Sequence, residues 1–275
     1  MYSLNCNGRL LSWEDPIVMG ILNMTPDSFY SGSRIQSEEK LIAQGEKMLA
    51  DGAAILDLGG LSSRPGAAEI PVDEEIRRVV PAVQLLAGRF PAAFISVDSY
   101  RYKVAEAALE AGASIINDIG ASKQENLAAL AASKGVPYIC MHMRGNPANM
   151  QNLTDYEDIT REILDYFIGR KDECIRMGLR DLIIDPGFGF AKTTAQNFLV
   201  LKKMKVLKML GLPVLAGLSR KATVYKTLGI KPEDSLNGTT VLHTLALEQG
   251  ADILRVHDVK EAREAIRLWK SYASA

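Results

Sequence analysis

A repeating order of apolar run and helical pattern constrains the fold of this chain more than any other feature of its sequence. Runs such as Ile17–Leu22 and Ala54–Gly59 are continuous, apolar and bounded by Gly or polar residues, as is typical of strands buried on both faces. Each run is followed by a segment with helical spacing before the next run begins. The predicted strands are eight in number and lie at 17–22, 54–59, 94–98, 114–118, 138–142, 182–185, 213–217 and 252–256.

Eight strand-helix units predict a closed (β/α)₈ barrel, which we expect to fill residues 1–275 as a single domain. A doubly wound open sheet is the alternative, but it seldom needs eight alternations and usually carries a glycine-rich fingerprint after its first strand. The chain contains neither GxGxxG nor GxxxxGK[ST]. Before the barrel, the pair Asn7-Gly8 between short apolar stretches predicts an N-terminal hairpin. The helices are expected at 38–50, 73–87, 102–110, 124–133, 159–177, 195–209, 238–249 and 262–272.

Net charge and cysteine spacing indicate which partners and which cellular compartment to expect. The formal net charge of −1 argues against a nucleic-acid groove or a membrane-surface patch, so small molecules are the expected partners. The three cysteines Cys6, Cys140 and Cys174 show no CxxC spacing, which suits a reducing compartment and neither zinc nor a disulfide framework. Without a basic and apolar leader pattern or a run of ~18 apolar residues, a cytoplasmic protein is expected.

Polar residues collect where the predicted strands end. In a barrel these ends open into one mouth, so strand-terminal polar groups form an inventory of a site. Taken singly, each has a plainer interpretation, because a strand-end Asp often caps a helix and a single Arg is often a solvated surface charge. Together they predict a common site built from Asn23, the Ser62-Ser63-Arg64 loop, Asp98, Asn117, Asp185, Lys221, Arg255 and His257.

The chemistry of these residues divides into two halves. Asp98, Asn117 and Asp185 offer acceptors suited to an amino-amide heterocycle, whereas Arg64, Arg255 and His257 suit a phosphate or pyrophosphate. Asn23 is able to supply an oxygen to a Mg²⁺ ion that keeps most of its waters. No Ser or Cys has a clear paired base, so covalent catalysis is disfavoured.

Eight ordered motifs in this chain resemble those of the dihydropteroate synthases. They are GILNMTPDSF, DLGGLSSRPGA, ISVDS, IINDI, MHMRGNP, IIDPGFGF, GLSRK and ADILRVHDV, and the resemblance covers the chain from Met19 to Val259. The resemblance implies a (β/α)₈ barrel that condenses 6-hydroxymethyl-7,8-dihydropterin pyrophosphate with 4-aminobenzoate to give 7,8-dihydropteroate and pyrophosphate. It also implies Mg²⁺ as the ion and a homodimer as the assembly.

The same resemblance assigns roles to individual residues. The pterin would be held by Asp98, Asn117, Met141, Asp185, Phe190, Gly217 and Lys221. Pyrophosphate would be held by Asn23, Ser63, Arg64, Arg255 and His257, with Asn23 also as metal ligand. The aminobenzoate pocket would be shaped by Phe29, Arg64, Pro65, Phe190, Ser219 and Lys221. The residues implied in catalysis are Arg64, Asp98, Lys221, Arg255 and His257.

Three departures from the family pattern keep other functions open. Members commonly have Asp where this chain has Ser31, Glu-Ser-Thr where it has Leu61-Ser62-Ser63, and Gly where it has Ala191. A non-catalytic paralogue that binds pterin pyrophosphate is therefore one alternative, and a pterin-binding methyltransferase domain is another. The polar loops 25–32 and 61–67 are expected to close around aminobenzoate after pterin pyrophosphate has bound.

Overall fold

A computed structural model describes residues 1–24, 34–61, 70–120, 126–146 and 149–275, with the backbone alone at 34–36. The chain begins with an antiparallel hairpin of β1 (Tyr2–Cys6) and β2 (Arg9–Trp13). Asn7 and Gly8 connect the two strands with positive φ values of 55° and 83°, the backbone that a type I′ turn requires. The predicted hairpin is confirmed.

The main sheet contains eight parallel strands within the described residues. They are β3 (Ile17–Asn23), β4 (Ile55–Gly59), β5 (Phe94–Asp98), β6 (Ile115–Asp118), β7 (Tyr138–Met141), β8 (Leu182–Asp185), β9 (Leu215–Ala216) and β10 (Ile253–Val256). Strands β3 to β8 pair in chain order, and β10 joins β3 to β9. A parallel bridge between Ile184 and Val214 connects β8 to the segment just before β9 and so nearly closes the barrel. The predicted (β/α)₈ fold is confirmed.

Helices follow the barrel strands and cover their outer side. They are α1 (Arg34–Ala50), α2 (Val72–Arg89), α3 (Tyr102–Glu110), α4 (Leu127–Lys134), α5 (Ile159–Arg176), α6 (Thr194–Lys203), α7 (Ala222–Leu228), α8 (Leu236–Glu248) and α9 (Val259–Ala273). Buried apolar side chains of the strands and helices form one large outer core. In the described part of the chain, no helix is long and apolar enough to cross a membrane.

The structure differs from the sequence prediction mainly around β9. The strand is only Leu215–Ala216, because Pro213 offers no N–H to the sheet and Gly217 ends the pairing. Helix α7 was not predicted, since its seven residues are too few for a clear apolar periodicity. The predicted helix 195–209 is α6 followed by a 3₁₀ segment, Met204–Leu210, which ends at Gly211 with φ 69°.

A second, smaller core fills the lower half of the barrel interior. Inward-facing apolar residues from several strands meet there, and the hairpin packs beneath them through Leu4, Cys6, Leu11 and Trp13. The strand residues of this layer are Ile17, Met19, Ile55, Ile115, Ile139, Ile183, Leu215 and Ile253. The lower end is thereby closed, and the carboxyl ends of the strands at the upper end remain to form a site.

Candidate active site

The floor of the candidate site lies one layer above the apolar interior. Side chains two residues apart on a strand point to the same face, so each apolar residue of the lower layer is followed by an inward residue nearer the mouth. Ile55, Ile115 and Ile183 are followed in this way by Asp57, Asn117 and Asp185. Met141, Gly217 and Arg255 follow Ile139, Leu215 and Ile253 in the same way, and Asp98 ends β5 directly beside Asn117 of β6.

Two buried carboxylates share the guanidinium of Arg255. Its Nε donates to Oδ2 of Asp57 at 2.6 Å, and its Nη2 donates to Oδ2 of Asp98. The Nδ2 atom of Asn117 donates to the same Oδ2 of Asp57 at 3.1 Å. This cluster joins β4, β5, β6 and β10 across the mouth. Asp57 was not predicted, although an acid inside the apolar run 54–59 was a visible signal.

Each of these two carboxylates keeps one oxygen without a partner. Oδ1 of Asp57 and Oδ1 of Asp98 are buried, and neither accepts a hydrogen bond from any described residue. A buried acceptor in this state costs free energy unless a ligand or water supplies a donor. Burial raises the pKa of Asp98 to about 7, while the Arg255 guanidinium opposes that shift and Asp57 adds to it.

Asp185 and Lys221 are two further charged residues at the mouth, and both adjoin Gly217. A Cβ atom built on Gly217 would lie 3.7 Å from Nζ of Lys221 and 3.8 Å from Oδ2 of Asp185, so Gly217 adjoins both groups. Burial raises the pKa of Asp185 and lowers the pKa of Lys221 to about 8, each against the pull of the other. The Lys221 ammonium also lies 4.5 Å from the centre of the Phe190 ring, as a cation over an aromatic face.

Ser219 contacts His257 at the end of β10. The Ser219 Oγ accepts from the backbone N–H of His257 at 3.1 Å and lies 2.9 Å from Nδ1 of the same residue. These two contacts hold the Ser219 hydroxyl against both the backbone and the ring of His257. The structure therefore brings Ser219, predicted for aminobenzoate, together with the predicted pyrophosphate residue His257.

The remaining predicted residues are placed as follows. Met141 is buried at the end of β7, and Asn23 is exposed at the end of β3, where it pairs with Gly59. Phe29, Ser63, Arg64 and Pro65 lie outside the described residues. So do the loop 25–32 and, apart from Leu61, the loop 61–67, both of which were expected to close.

The ligand atoms of the described residues determine which kind of metal ion the mouth could bind. No group of three or more His, Cys, Asp or Glu side chains within the described ranges is arranged to hold a metal ion. Asn23 provides a single exposed carbonyl oxygen at the mouth. One hard oxygen fits a Mg²⁺ ion that keeps its waters and takes its other ligands from a bound phosphate.

Two buried residues near the mouth were not predicted as site residues. Lys192 follows the turn after β8, and His142 follows β7. Nζ of Lys192 lies 3.1 Å from Nδ1 of His142. The only signal for Lys192 in the sequence was its place directly after the Gly-rich motif IIDPGFGF and Ala191.

Comparison with known proteins places this geometry in a family. A family model described as pterin binding enzyme matches residues 19–257. The dihydropteroate synthase of Escherichia coli strain K12 is 40% identical over 274 residues, covering 99% of this chain and 97% of that protein. Xanthomonas albilineans dihydropteroate synthase solved with 4-aminobenzoic acid is 39% identical, with a TM-score of 0.91 and coverage of 99% and 98%. The same enzyme in complex with 7,8-dihydropteroate gives 37% identity, a TM-score of 0.88 and full coverage of both chains.

Proposed function

Since the chain belongs to the pterin-binding enzymes, and among them to the dihydropteroate synthases, we propose how its own residues carry out that reaction. The reaction joins 6-hydroxymethyl-7,8-dihydropterin pyrophosphate to 4-aminobenzoate and releases 7,8-dihydropteroate and pyrophosphate. The observation that carries the assignment of residues is a pair of buried carboxylate oxygens beside the Arg255 cation, one on Asp57 and one on Asp98, which accept no hydrogen bond from the described part of the chain.

The pterin ring binds in the acceptor half of the site. Its amine and ring N–H groups donate to Asp98 and Asp185, and Asn117 supplies an amide beside them. Met141 and Phe190 form the apolar walls, and Gly217 leaves room next to Lys221 because it has no side chain. A donor-rich heterocycle would supply a hydrogen bond to Oδ1 of Asp98, which accepts none from the described residues.

Pyrophosphate binds at the cationic end of β10. Arg255 and His257 receive its charge, and the contact with Ser219 orients the His257 ring at the end of β10. The C–O bond to the pterin methylene breaks with its electron pair leaving on pyrophosphate. The aromatic amine then forms the new C–N bond and loses a proton. Asn23 would hold Mg²⁺, which when bound supplies charge neutralisation for the leaving group.

Aminobenzoate binds against Phe190 and Lys221, on the side of the mouth where Ser219 begins the turn into α7. Phe29, Ser63, Arg64 and Pro65 keep their predicted roles around the two substrates. The reaction depends on position and charge, with the aromatic amine of aminobenzoate as the nucleophile and pyrophosphate as the leaving group.

The test is direct formation of dihydropteroate from the two substrates, followed by chromatography, with each substrate omitted in turn. Product that requires both substrates is expected. Tight pterin pyrophosphate binding without product would instead identify the non-catalytic paralogue, and no binding at all would reject the assignment.

We also propose that two chains associate through α7 and α8. Leu228, Val241 and Leu245 are large apolar residues exposed there, and the last two are four residues apart on one face of α8. Leu228 lies close to Gly238, because a Cβ added to that glycine would meet Leu228 Cδ1 at 2.8 Å. The three side chains therefore extend over neighbouring helices, as expected of a homodimer face.

A further inference from the structure

Lys192 is a buried lysine whose ammonium faces the backbone of the turn after β8. The residue is only 4% exposed. Its Nζ donates to the carbonyl oxygens of Gly187 and Phe190, each at 3.0 Å. It also lies 3.1 Å from Nδ1 and 3.4 Å from the carbonyl oxygen of His142. One side chain thus connects the turn after β8 to the end of β7.

These contacts require a charged lysine and a neutral histidine. An ammonium has three N–H donors and no lone pair, and all four neighbouring atoms are able to accept. His142 accepts through Nδ1 and therefore carries its ring proton on Nε2. Burial, together with the charges of Lys192 and Arg144, lowers the pKa of His142 to about 2, so the ring stays neutral throughout the working range.

The turn that Lys192 contacts includes Phe190, which is proposed to form an apolar wall of the pterin pocket. Gly187 N–H donates to Oδ1 of Asp185 at 2.7 Å, which fixes the orientation of that carboxylate. From the mouth, Lys221 donates to the Phe188 carbonyl oxygen. The oxygens of residues 187, 188 and 190 are therefore all bound by lysine ammonium groups.

The residue that follows the turn 187–190 has an energetically unfavourable backbone conformation. Ala191, directly before Lys192, has a φ of 48°, in the left-handed region that favours glycine. A non-glycine residue keeps such a conformation only where surrounding contacts enforce it. The two carbonyl contacts of Lys192, to residues 187 and 190, are contacts of this kind.

We propose that Lys192 is a positioning residue for the pterin, acting through the turn 187–190. Its ammonium sets the place of the Phe190 ring and, through Gly187, the direction of the Asp185 carboxylate. Lys192 does not touch the substrate itself. The inference rests on the proposed function, because it takes Phe190 and Asp185 as pterin contacts.

The charge of Lys192 makes this arrangement sensitive to pH. Burial lowers its pKa to about 7, Asp185 opposes the shift, and Lys221 and Arg144 add to it. Neutral His142 completes the set of titratable neighbours. Above pH 7 the amine keeps only two N–H donors and no charge for its four neighbouring acceptors, so its contacts to the turn should weaken and the pterin should bind more weakly.

The experiment measures pterin pyrophosphate binding by calorimetry in the parent, in Lys192→Met and in Lys208→Met. Lys208 is a matched control because its Nζ bonds Asp252 and Tyr2 at the opposite end of the barrel. We expect Kd to rise about tenfold to a hundredfold in Lys192→Met, as for a lost buried partner, and to stay unchanged in Lys208→Met. Amide hydrogen exchange of a peptide covering 186–191 should speed up only in Lys192→Met.

Lys192→Gln and Lys192→Arg serve if the Met variant does not fold. Gln should weaken pterin binding and remove the decline that begins near pH 7, and Arg, which keeps the charge, should restore part of the affinity. Unchanged pterin affinity and unchanged exchange at 186–191 in any folded Met or Gln variant would overturn the inference. If the parent binds no pterin pyrophosphate, the proposed function fails first.

Discussion

Asp57 illustrates what a single buried side chain contributes to this site. It is fully buried in the middle of β4, where it accepts from Asn117 and Arg255. Strand-end reasoning missed it because it lies two residues before the end of its strand. Only the closed barrel brings an interior position of β4 beside the guanidinium of β10, and that long-range approach is not visible in local sequence.

Replacing Asp57 by Asn keeps the shape and removes the charge beside Arg255. Loss of one partner of a buried, hydrogen-bonded ion pair should lower the free energy of unfolding by about 3 kcal/mol and weaken pterin pyrophosphate binding. Urea denaturation at pH 7 measures the first effect. Glu110→Gln is the control, since its pairing with Lys134 at 4.0 Å is exposed and should contribute less than about 1 kcal/mol. Equal effects of the two changes would contradict the account.

The pKa values of Asp98 and Lys221 should determine how kcat/KM for pterin pyrophosphate depends on pH. Asp98 has a pKa raised to about 7, so it accepts as a carboxylate only above that pH, whereas Lys221 has a pKa lowered to about 8 and is charged only below that pH. The kcat/KM for pterin pyrophosphate should therefore rise toward pH 7 as Asp98 ionises and fall at higher pH, first as Lys192 and then as Lys221 lose their protons. In Lys221→Arg the alkaline limb attributed to Lys221 should move upward. A flat profile from pH 6 to pH 9 would rule out these two groups.

At the scale of elements, the alternation along each barrel strand is the main link between sequence and site. An apolar residue such as Ile183 and a polar residue such as Asp185 point to the same face, so the strand supplies the core and the site together. The predicted strand positions were largely right because these runs are continuous and bounded. Helix α7 and the shortened β9 were missed because elements of seven and two residues carry too little pattern.

The hairpin should affect stability and leave catalysis unchanged. Trp13 is buried beneath the barrel, and its indole Nε1 has no partner among the described residues. Trp13→Ala should lower the free energy of unfolding by about 3–5 kcal/mol, whereas Trp13→Phe, which removes the unpaired N–H, should cost much less. Leu10→Ala is the control, because Leu10 lies on the same hairpin and is 69% exposed. Denaturation curves and the two substrate KM values separate the effects, and a changed KM in a folded Trp13 variant would contradict this division.

For the whole molecule, the barrel brings distant residues to one mouth, and its outer helices carry the proposed interface. Val241→Glu with Leu245→Glu places charge on the exposed face of α8 and should convert a dimer to a monomer in sedimentation velocity. Leu268→Glu with Tyr272→Glu changes an exposed face of α9 in the same manner and should leave the dimer intact. A monomeric parent, or dissociation caused only by the α9 pair, would exclude the α8 interface.

The measurement that tests the central claim most directly is calorimetric titration of pterin pyrophosphate into Asp185→Asn and Asp181→Asn. The central claim is that carboxylates of the upper interior layer recognise the pterin. Asp185 ends β8 at the mouth, and Asp181 lies just before β8 at the other end, where it accepts from the N–H of Asn5. The account predicts a loss of about 1–3 kcal/mol or more in binding free energy for Asp185→Asn and parental affinity for Asp181→Asn. Parental affinity in a folded Asp185→Asn variant would contradict it.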